Sequence, residues 1–190
     1  AAIAAARKGA KTLLIEANYA LGGMSTLGMV PTWCPFSDKE KIIYRGIAEE
    51  IFNAGKKATP HVPASKLDWV PIDPEALKVI YDELLFNAGA KVLFGTFLCG
   101  ALQENGAVTA VLAANKNGLC AYRAKVYIDC TGDADIAYYA GAECVSGDGN
   151  GHTQAATHCF ELSGVNDRAY LAGPSLHNSN PQSPIHERNA

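Results

Sequence analysis

Residues 12–16, Thr-Leu-Leu-Ile-Glu, constrain this chain most: an apolar run that reads as a buried strand stops abruptly on a carboxylate. Before it, residues 1–8 are rich in alanine and Gly9 follows, the pattern of a helix and its stop. A helix feeding a strand that ends on an acid places that acid at the carboxyl edge of an α/β sheet, where open sheets of this kind hold their ligands. Just beyond comes the pair Gly22-Gly23, followed by Met24 and Ser25. Two glycines without Cβ atoms let a backbone come close to a flat or phosphorylated ligand. A solvated strand end and an ordinary tight turn would account for either feature alone.

The rest of the chain alternates in the same way. Residues 17–37 read as loop and about 40–54 as a helix, and residues 55–71, with Pro60, Pro63 and Pro71, read as loop. Asp73 and Pro74 are a helix start, and Leu77, Ile80, Tyr81, Leu84, Leu85 and Ala88 then fall on one helical face until Gly89. A strand at Lys91–Phe94 leads to runs at about 96–103, 107–114 and 119–124, separated by Glu-Asn-Gly and Asn-Lys-Asn-Gly, which predicts a three-stranded antiparallel meander. Val126, Tyr127 and Ile128 predict a short strand delivering Asp129, Thr131, Gly132 and Asp133 to a turn, with a helix over 134–140. A further strand is expected at 155–162, and a poorly packed tail over 173–190. The expected fold class is α/β: a Rossmann-like βαβ core with an inserted meander.

In a dinucleotide-binding βαβ unit, a glycine-rich turn holds pyrophosphate at a helix N-terminus, and an acid about 20 residues on accepts the ribose hydroxyls. Glu16 occupies the acid's place, and a strand ending in GxGxxG is expected within about 25 residues upstream of Ala1. Thr131 and Gly132 are placed to bring backbone N–H groups to the cofactor, and Asp133 either to cap the helix at 134 or to sit near cofactor hydroxyls.

Taken together, residues 1–30, 79–112 and 124–143 resemble successive segments of the FAD-dependent oxidoreductases with a glutathione-reductase-like FAD-binding fold. The group similar to the fumarate reductase and succinate dehydrogenase flavoproteins lies nearest. The resemblance covers about residues 1–145, with a weaker echo at 150–166. It implies that Glu16 binds the adenosine ribose of FAD and that Gly22, Gly23, Met24 and Ser25 line the cofactor from pyrophosphate toward the flavin. It implies that Leu98 offers backbone groups to the adenine and that Thr131, Gly132 and Asp133 pass by the pyrophosphate. It divides the chain into a partial FAD-binding domain over 1–145, with the meander inserted at about 96–124, and the start of a substrate domain with a flexible tail over 146–190. The upstream glycine segment and the late segment that closes the family's sheet are absent from these residues, so the fold is expected to be incomplete and the isolated chain to bind FAD poorly and to be inactive. The implied reaction is hydride or two-electron transfer between flavin and a small organic substrate, with an electron-transfer partner. No catalytic residue is assigned.

Other features narrow the alternatives. With 190 residues, a formal net charge of −3 and no Lys/Arg-rich run, nucleic acid is not an expected partner. No apolar run reaches the roughly 18 residues of a membrane span. Cysteines at 34, 99, 120, 130, 144 and 159 form no C-x-x-C pair, which fits a reduced, cytoplasmic protein and argues against a redox dithiol at Cys34. His152, His158 and Cys159 are metal-ligand types without a second cluster, so no metal is expected; the segment reads as a strand with its polar residues facing out, the alternative being that His152 or Gln154 touches flavin or substrate. Tyr138 and Tyr139 read as packing residues, and Asp38, Glu40, Glu49 and Glu50 as a solvated helix face. Two other functions share the acid-ended strand: an NAD(P)-binding Rossmann dehydrogenase, which needs neither the glycine pair nor the meander, and a non-catalytic nucleotide-binding module.

Overall fold

A computed structural model describes residues 1–174. It divides into two units, Ala1–Thr157 and His158–Ala190.

The first unit opens with helix α1, Ala2–Arg7, which passes through Gly9 at φ +84° into strand β1, Leu13–Ile15. A 3₁₀ turn over Gly23–Ser25 and the short strand β2, Thr32–Trp33, precede helix α2, Ile47–Ala58. Glu49 and Glu50 lie in the first turn of α2 and Lys56 and Lys57 in its last, matching the helix dipole at both ends. Strand β3, Val70–Pro71, pairs antiparallel with β2, so that Thr32 faces Pro71 and Trp33 faces Val70. Helix α3, Pro74–Asn87, starts where the sequence requires: Asp73 accepts a hydrogen bond from the Ala76 N–H at 3.0 Å. It buries Leu77 and Leu85.

Strand β4, Lys91–Leu93, then pairs parallel with β1, Leu14 beside Val92, completing a crossover that carries α2 and α3. Strands β5, Phe97–Glu104, β6, Ala107–Asn115, and β7, Gly118–Tyr122, form the predicted meander in that order. Asn105 and Gly106 both have positive φ, +52° and +79°, the requirement of a two-residue turn that follows the twist of the hairpin. Ala110, Val111 and Ala113 of β6 are buried, Val111 and Ala113 on one face of the strand and Ala110 on the other. Helix α4, Asp135–Tyr139, packs on β5.

A second core lies among α2, β2 and β3. Phe52 and Val70 are fully buried there with Phe36, and Trp33, Ile42, Ala48 and Val62 pack around them. Phe36 stacks on Phe52 with ring centroids 4.4 Å apart, and Trp33 meets Phe36 edge-on at 5.4 Å.

Several expectations shift. Helix α2 begins at Ile47, because residues 38–41 close a turn in which the Asp38 carboxylate accepts the N–H groups of Glu40 and Lys41. Asp38 and Glu40 thus belong to a turn, while Glu49 and Glu50 stay on the helix, Glu50 holding Arg7 of α1 through two hydrogen bonds. Residues 126–128 and 155–162 form no strand. A strand exists only by its ladder, and neither segment finds one among the described residues. Tyr138 and Tyr139 stack edge-on against each other and stay exposed instead of packing inward. In the second unit, Asn166 caps helix α5, Asp167–Ala172, through the Ala169 N–H. The expected tail lies mostly outside the described residues.

Candidate functional site

The acid takes the place its sequence predicts. Glu16 follows the last residue of β1, its N–H donating to the Leu93 carbonyl of β4 and its carbonyl accepting the Thr96 N–H, both at 3.0 Å. These bonds tie the carboxyl end of the parallel pair to the start of the meander, and Leu98 lies just inside β5 opposite Ala113. One carboxylate oxygen, Oε1, accepts the Asn18 backbone and side-chain N–H groups at 2.8 and 3.0 Å. Oε2 takes no hydrogen bond from the described residues. The side chain is therefore held in one orientation with an acceptor to spare.

The two glycines do different work. Gly22 has φ +105°, and a Cβ there would lie 2.6 Å from the Tyr81 ring of α3 and 2.7 Å from Thr26. Its freedom is used inside the fold. Gly23 has φ +54°, and a Cβ there would meet nothing within 4 Å, so it is the glycine that faces open space. Met24 is exposed, while the Ser25 hydroxyl donates to the Gly22 carbonyl at 3.0 Å and lies 3.2 Å from the Tyr81 hydroxyl.

The third segment is organised by a residue the sequence reading left without a role. Asp129 Oδ1 accepts the Thr131 N–H and hydroxyl at 3.0 and 2.8 Å, and Oδ2 accepts the Ile136 and Ala137 N–H groups of α4 at 2.9 and 3.2 Å. The Thr131 hydroxyl in turn accepts the Asp135 N–H at 2.9 Å. Burial pushes the Asp129 carboxyl up, but the hydrogen bonds from Thr131, Ala137 and Ile136 together outweigh it and hold its pKa below the ordinary value. Asp133 does not cap α4, because Asp129 already satisfies that helix end. The signal was present in the spacing Asp-x-Thr-x₃-Asp before a helix. Gly132, at φ +95° with open space where a Cβ would stand, and Asp133 keep backbone N–H groups that donate to no described residue.

Glu16 and Leu98 are thus linked through β1, β4 and the first residues of β5, while the 22–25 loop packs on Tyr81 of α3. Thr131, Gly132 and Asp133 stand beside α4, on the meander, and no hydrogen bond among the described residues joins them to Glu16 or to the glycine loop. Beside Met24 and Ser25 an open apolar hollow of about 270 Å³ is walled by Val30, Trp33, Phe36, Tyr44 and Ile72, with Cys34 on its lining.

The remaining candidates resolve differently. His152 Nδ1 lies 3.0 Å from the Asp148 carboxylate, and the hydrogen bond from His152 is the chief cause that brings the Asp148 pKa down to about 2. All six cysteines are free, and no three His, Cys, Asp or Glu residues are grouped to hold a metal among the described residues. No helix among them is long and apolar enough to cross a membrane.

The residues present fit a dinucleotide's adenosine end by the chemistry of their donors and acceptors: a fixed carboxylate with a spare oxygen, an open glycine, and unpartnered N–H groups at Gly132 and Asp133.

Several solved structures are similar to the chain. THI4 of Thermovibrio ammonificans is 15% identical, with a TM-score of 0.47 over 73% of this chain and 55% of its own. A geranylgeranyl bacteriochlorophyll reductase-like protein of Thermoplasma acidophilum is 20% identical, with a TM-score of 0.49 over 75% of this chain and 38% of its own. CabE, an aromatic hydroxylase from angucycline biosynthesis, is 13% identical, with a TM-score of 0.46 over 74% of this chain and 30% of its own. The chain thus spans little more than half of the first and less than half of the other two. No curated protein matches it. The family model described as FAD dependent oxidoreductase matches residues 1–189. The chain belongs to the FAD-dependent oxidoreductase family.

Proposed function

We propose that this chain supplies the adenosine-diphosphate side of an FAD site in an enzyme that moves a hydride, or two electrons, between flavin and a small organic substrate. The observation that carries this reading is the spare oxygen of Glu16 at the end of a parallel strand, in a chain of this family. In this reading Glu16 accepts the ribose hydroxyls, Gly23 admits the cofactor to the loop, and Met24 and Ser25 lie toward the ring. Leu98 offers its backbone to the adenine, and Gly132 and Asp133 offer N–H groups to the pyrophosphate, with Thr131 holding their turn. Gly22 serves the same loop by letting it pack on Tyr81.

FAD, when bound, supplies the isoalloxazine ring on which two-electron chemistry occurs. The chain's own residues bind it, orient it and shield it from water. Residues 1–145 are read as part of the cofactor domain and residue 146 onward as the start of the substrate domain. The partners in this reading are a small organic substrate and a second electron carrier. In this reading the compartment is the cytoplasm, which the scatter of the six cysteines, without a C-x-x-C pair, supports.

The test is the absorption spectrum of the natural protein carrying this sequence. Flavin absorbance that survives desalting and is bleached by a reductant is the expected result. Bound nicotinamide without flavin would replace the reading with a Rossmann dehydrogenase, and flavin that no donor reduces would leave a binding module.

A further inference from the structure

The hollow beside Met24 and Ser25 has a composition that restricts what can occupy it. None of the residues lining it is charged. Two of its hydroxyls are committed: the Ser25 hydroxyl donates to the Gly22 carbonyl, and the Thr32 hydroxyl donates to the Val70 carbonyl at 2.9 Å, which leaves the Tyr44 hydroxyl, the Trp33 indole N–H and the Cys34 thiol as neutral polar groups on the lining. A carboxylate or phosphate entering this space would lose its water and gain no cation in return. A flat apolar ring loses little and gains aromatic contact.

The walls are also fixed from behind. Phe36 is buried against the fully buried Phe52, with centroids 4.4 Å apart and ring planes within 9° of parallel. Trp33 rests edge-on against both, at 5.4 and 6.0 Å, and Tyr44 leans on Phe36 at 5.3 Å. The aromatic faces at the hollow are therefore extensions of the α2–β2–β3 core and do not need to be ordered by a ligand, which lowers the entropic cost of binding. A volume of about 270 Å³ falls just below the usual range of ligand pockets and suits one or two fused rings, a portion of a substrate and not the whole of a large one.

From these observations we infer that the hollow is the substrate subsite and that it takes the uncharged, planar, aromatic or conjugated portion of the substrate. The inference rests on the proposed function for the word substrate, since Met24 and Ser25 link the hollow to the loop assigned to the flavin. It differs from a subsite for small dicarboxylates, which needs a positive charge.

Cys34 is exposed and sits on the lining, so its alkylation reports occupancy without any flavin present. The experiment follows alkylation of the natural protein carrying this sequence, freed of flavin, by iodoacetamide with peptide mass spectrometry, using the exposed Cys99, Cys130 and Cys144 as internal references. 2-Naphthol is expected to slow labelling of Cys34 alone, by about tenfold at roughly ten times its dissociation constant. Succinate is expected to have no effect. Trp33→Leu and, on the exposed rim, Tyr44→Ala are each expected to remove the protection while the reference cysteines label as before.

Absence of protection by 2-naphthol, or equal protection by succinate, overturns the inference. Protection that persists in Tyr44→Ala and in a folded Trp33→Leu overturns it as well. Selective protection by lumiflavin, the bare ring system, in preference to 2-naphthol assigns the hollow to the flavin and overturns the substrate reading while leaving the cofactor reading intact. Failure of FAD binding in a separate titration bears on the proposed function and not on the protection result.

Discussion

The carboxylate of Asp129 holds Thr131 by both of its donors, the backbone N–H at 3.0 Å and the hydroxyl at 2.8 Å, while its other oxygen holds the first turn of α4. One side chain therefore fixes both the turn that presents Gly132 and the helix behind it. Asp129→Asn keeps one acceptor oxygen and replaces the other by an amide that cannot accept. The N–H groups of Ile136 and Ala137 then lose their partner. The expected loss is on the order of 1–2 kcal/mol, the range for removing a helix cap. Amide hydrogen exchange should accelerate at residues 135–139 while β5–β7 keep their protection; unchanged exchange in α4 would refute the role.

The same carboxyl sets a pH dependence. Its pKa is lower folded than unfolded, so its contribution is fully present above the unfolded value, about 3.9 for a free aspartate, and is lost as pH falls through the lower folded value. Protection of the α4 amides relative to the meander is expected to hold through the ordinary carboxylate range and to fall below it. In Asp129→Asn this acid-dependent step should vanish. A loss that begins near neutrality would point to another group.

Much of this was readable from residues alone, because the informative signals were local. Asp73 and Pro74 mark a helix start whose cap needs only the next turn, and Asn105-Gly106 marks a hairpin whose geometry needs only two residues with positive φ. The acid at the end of β1 could be placed because an alanine-rich helix and a glycine stop precede it. What escaped depends on distant partners. Residues 126–128 have a strand's composition, but a strand requires a ladder supplied from elsewhere. The aromatic core came from Trp33, Phe36 and Phe52, which share no periodic pattern and meet only after the chain has folded back through β2 and β3. Asp129 takes its role from Ile136 and Ala137, seven and eight residues on, whose N–H groups reach its carboxylate only once the intervening turn has closed.

The glycine pair offers a test in which two neighbouring residues should behave differently. Gly22→Ala places a Cβ against the Tyr81 ring and Thr26 at a positive φ, and should destabilise the first unit by roughly 1–3 kcal/mol. Gly23→Ala meets no atom, so only the backbone preference is lost, about 1 kcal/mol. FAD binding should nonetheless suffer more in Gly23→Ala than its stability does, because the added methyl stands in the open space assigned to the cofactor. Chemical denaturation paired with FAD titration of the natural protein separates the two effects. Equal damage to stability in both variants would remove the distinction.

Phe52 anchors the wall of the proposed substrate hollow from behind without lining it. It is fully buried, stacked on Phe36 and edge-on to Trp33. Phe52→Ala should cost about 3–5 kcal/mol in denaturant unfolding. Phe52→Leu, closer in volume, should cost less and retain Cys34 protection only in part. Full protection in that variant would show that the hollow does not depend on the core behind it.

Glu16 gives the sharpest test of the cofactor reading, because its two carboxylate oxygens have separate duties. Oε1 is engaged by Asn18, and Oε2 is the oxygen that the proposed function gives to the ribose. Glu16→Gln, oriented with its carbonyl toward Asn18, satisfies the internal contacts but presents an amide where a charged acceptor stood. Stability should therefore change little. FAD affinity of the natural protein should fall about tenfold or more, since a hydrogen bond to a charged group is worth roughly 1.5–3 kcal/mol and 1.4 kcal/mol is a factor of ten. Asn18→Ala removes the side-chain donor that fixes Oε1 and should weaken FAD binding by a smaller factor, through loss of orientation alone. Affinity unchanged in Glu16→Gln, measured by flavin fluorescence titration, would take the ribose away from this acid and with it the main support for placing the adenosine end of FAD at β1.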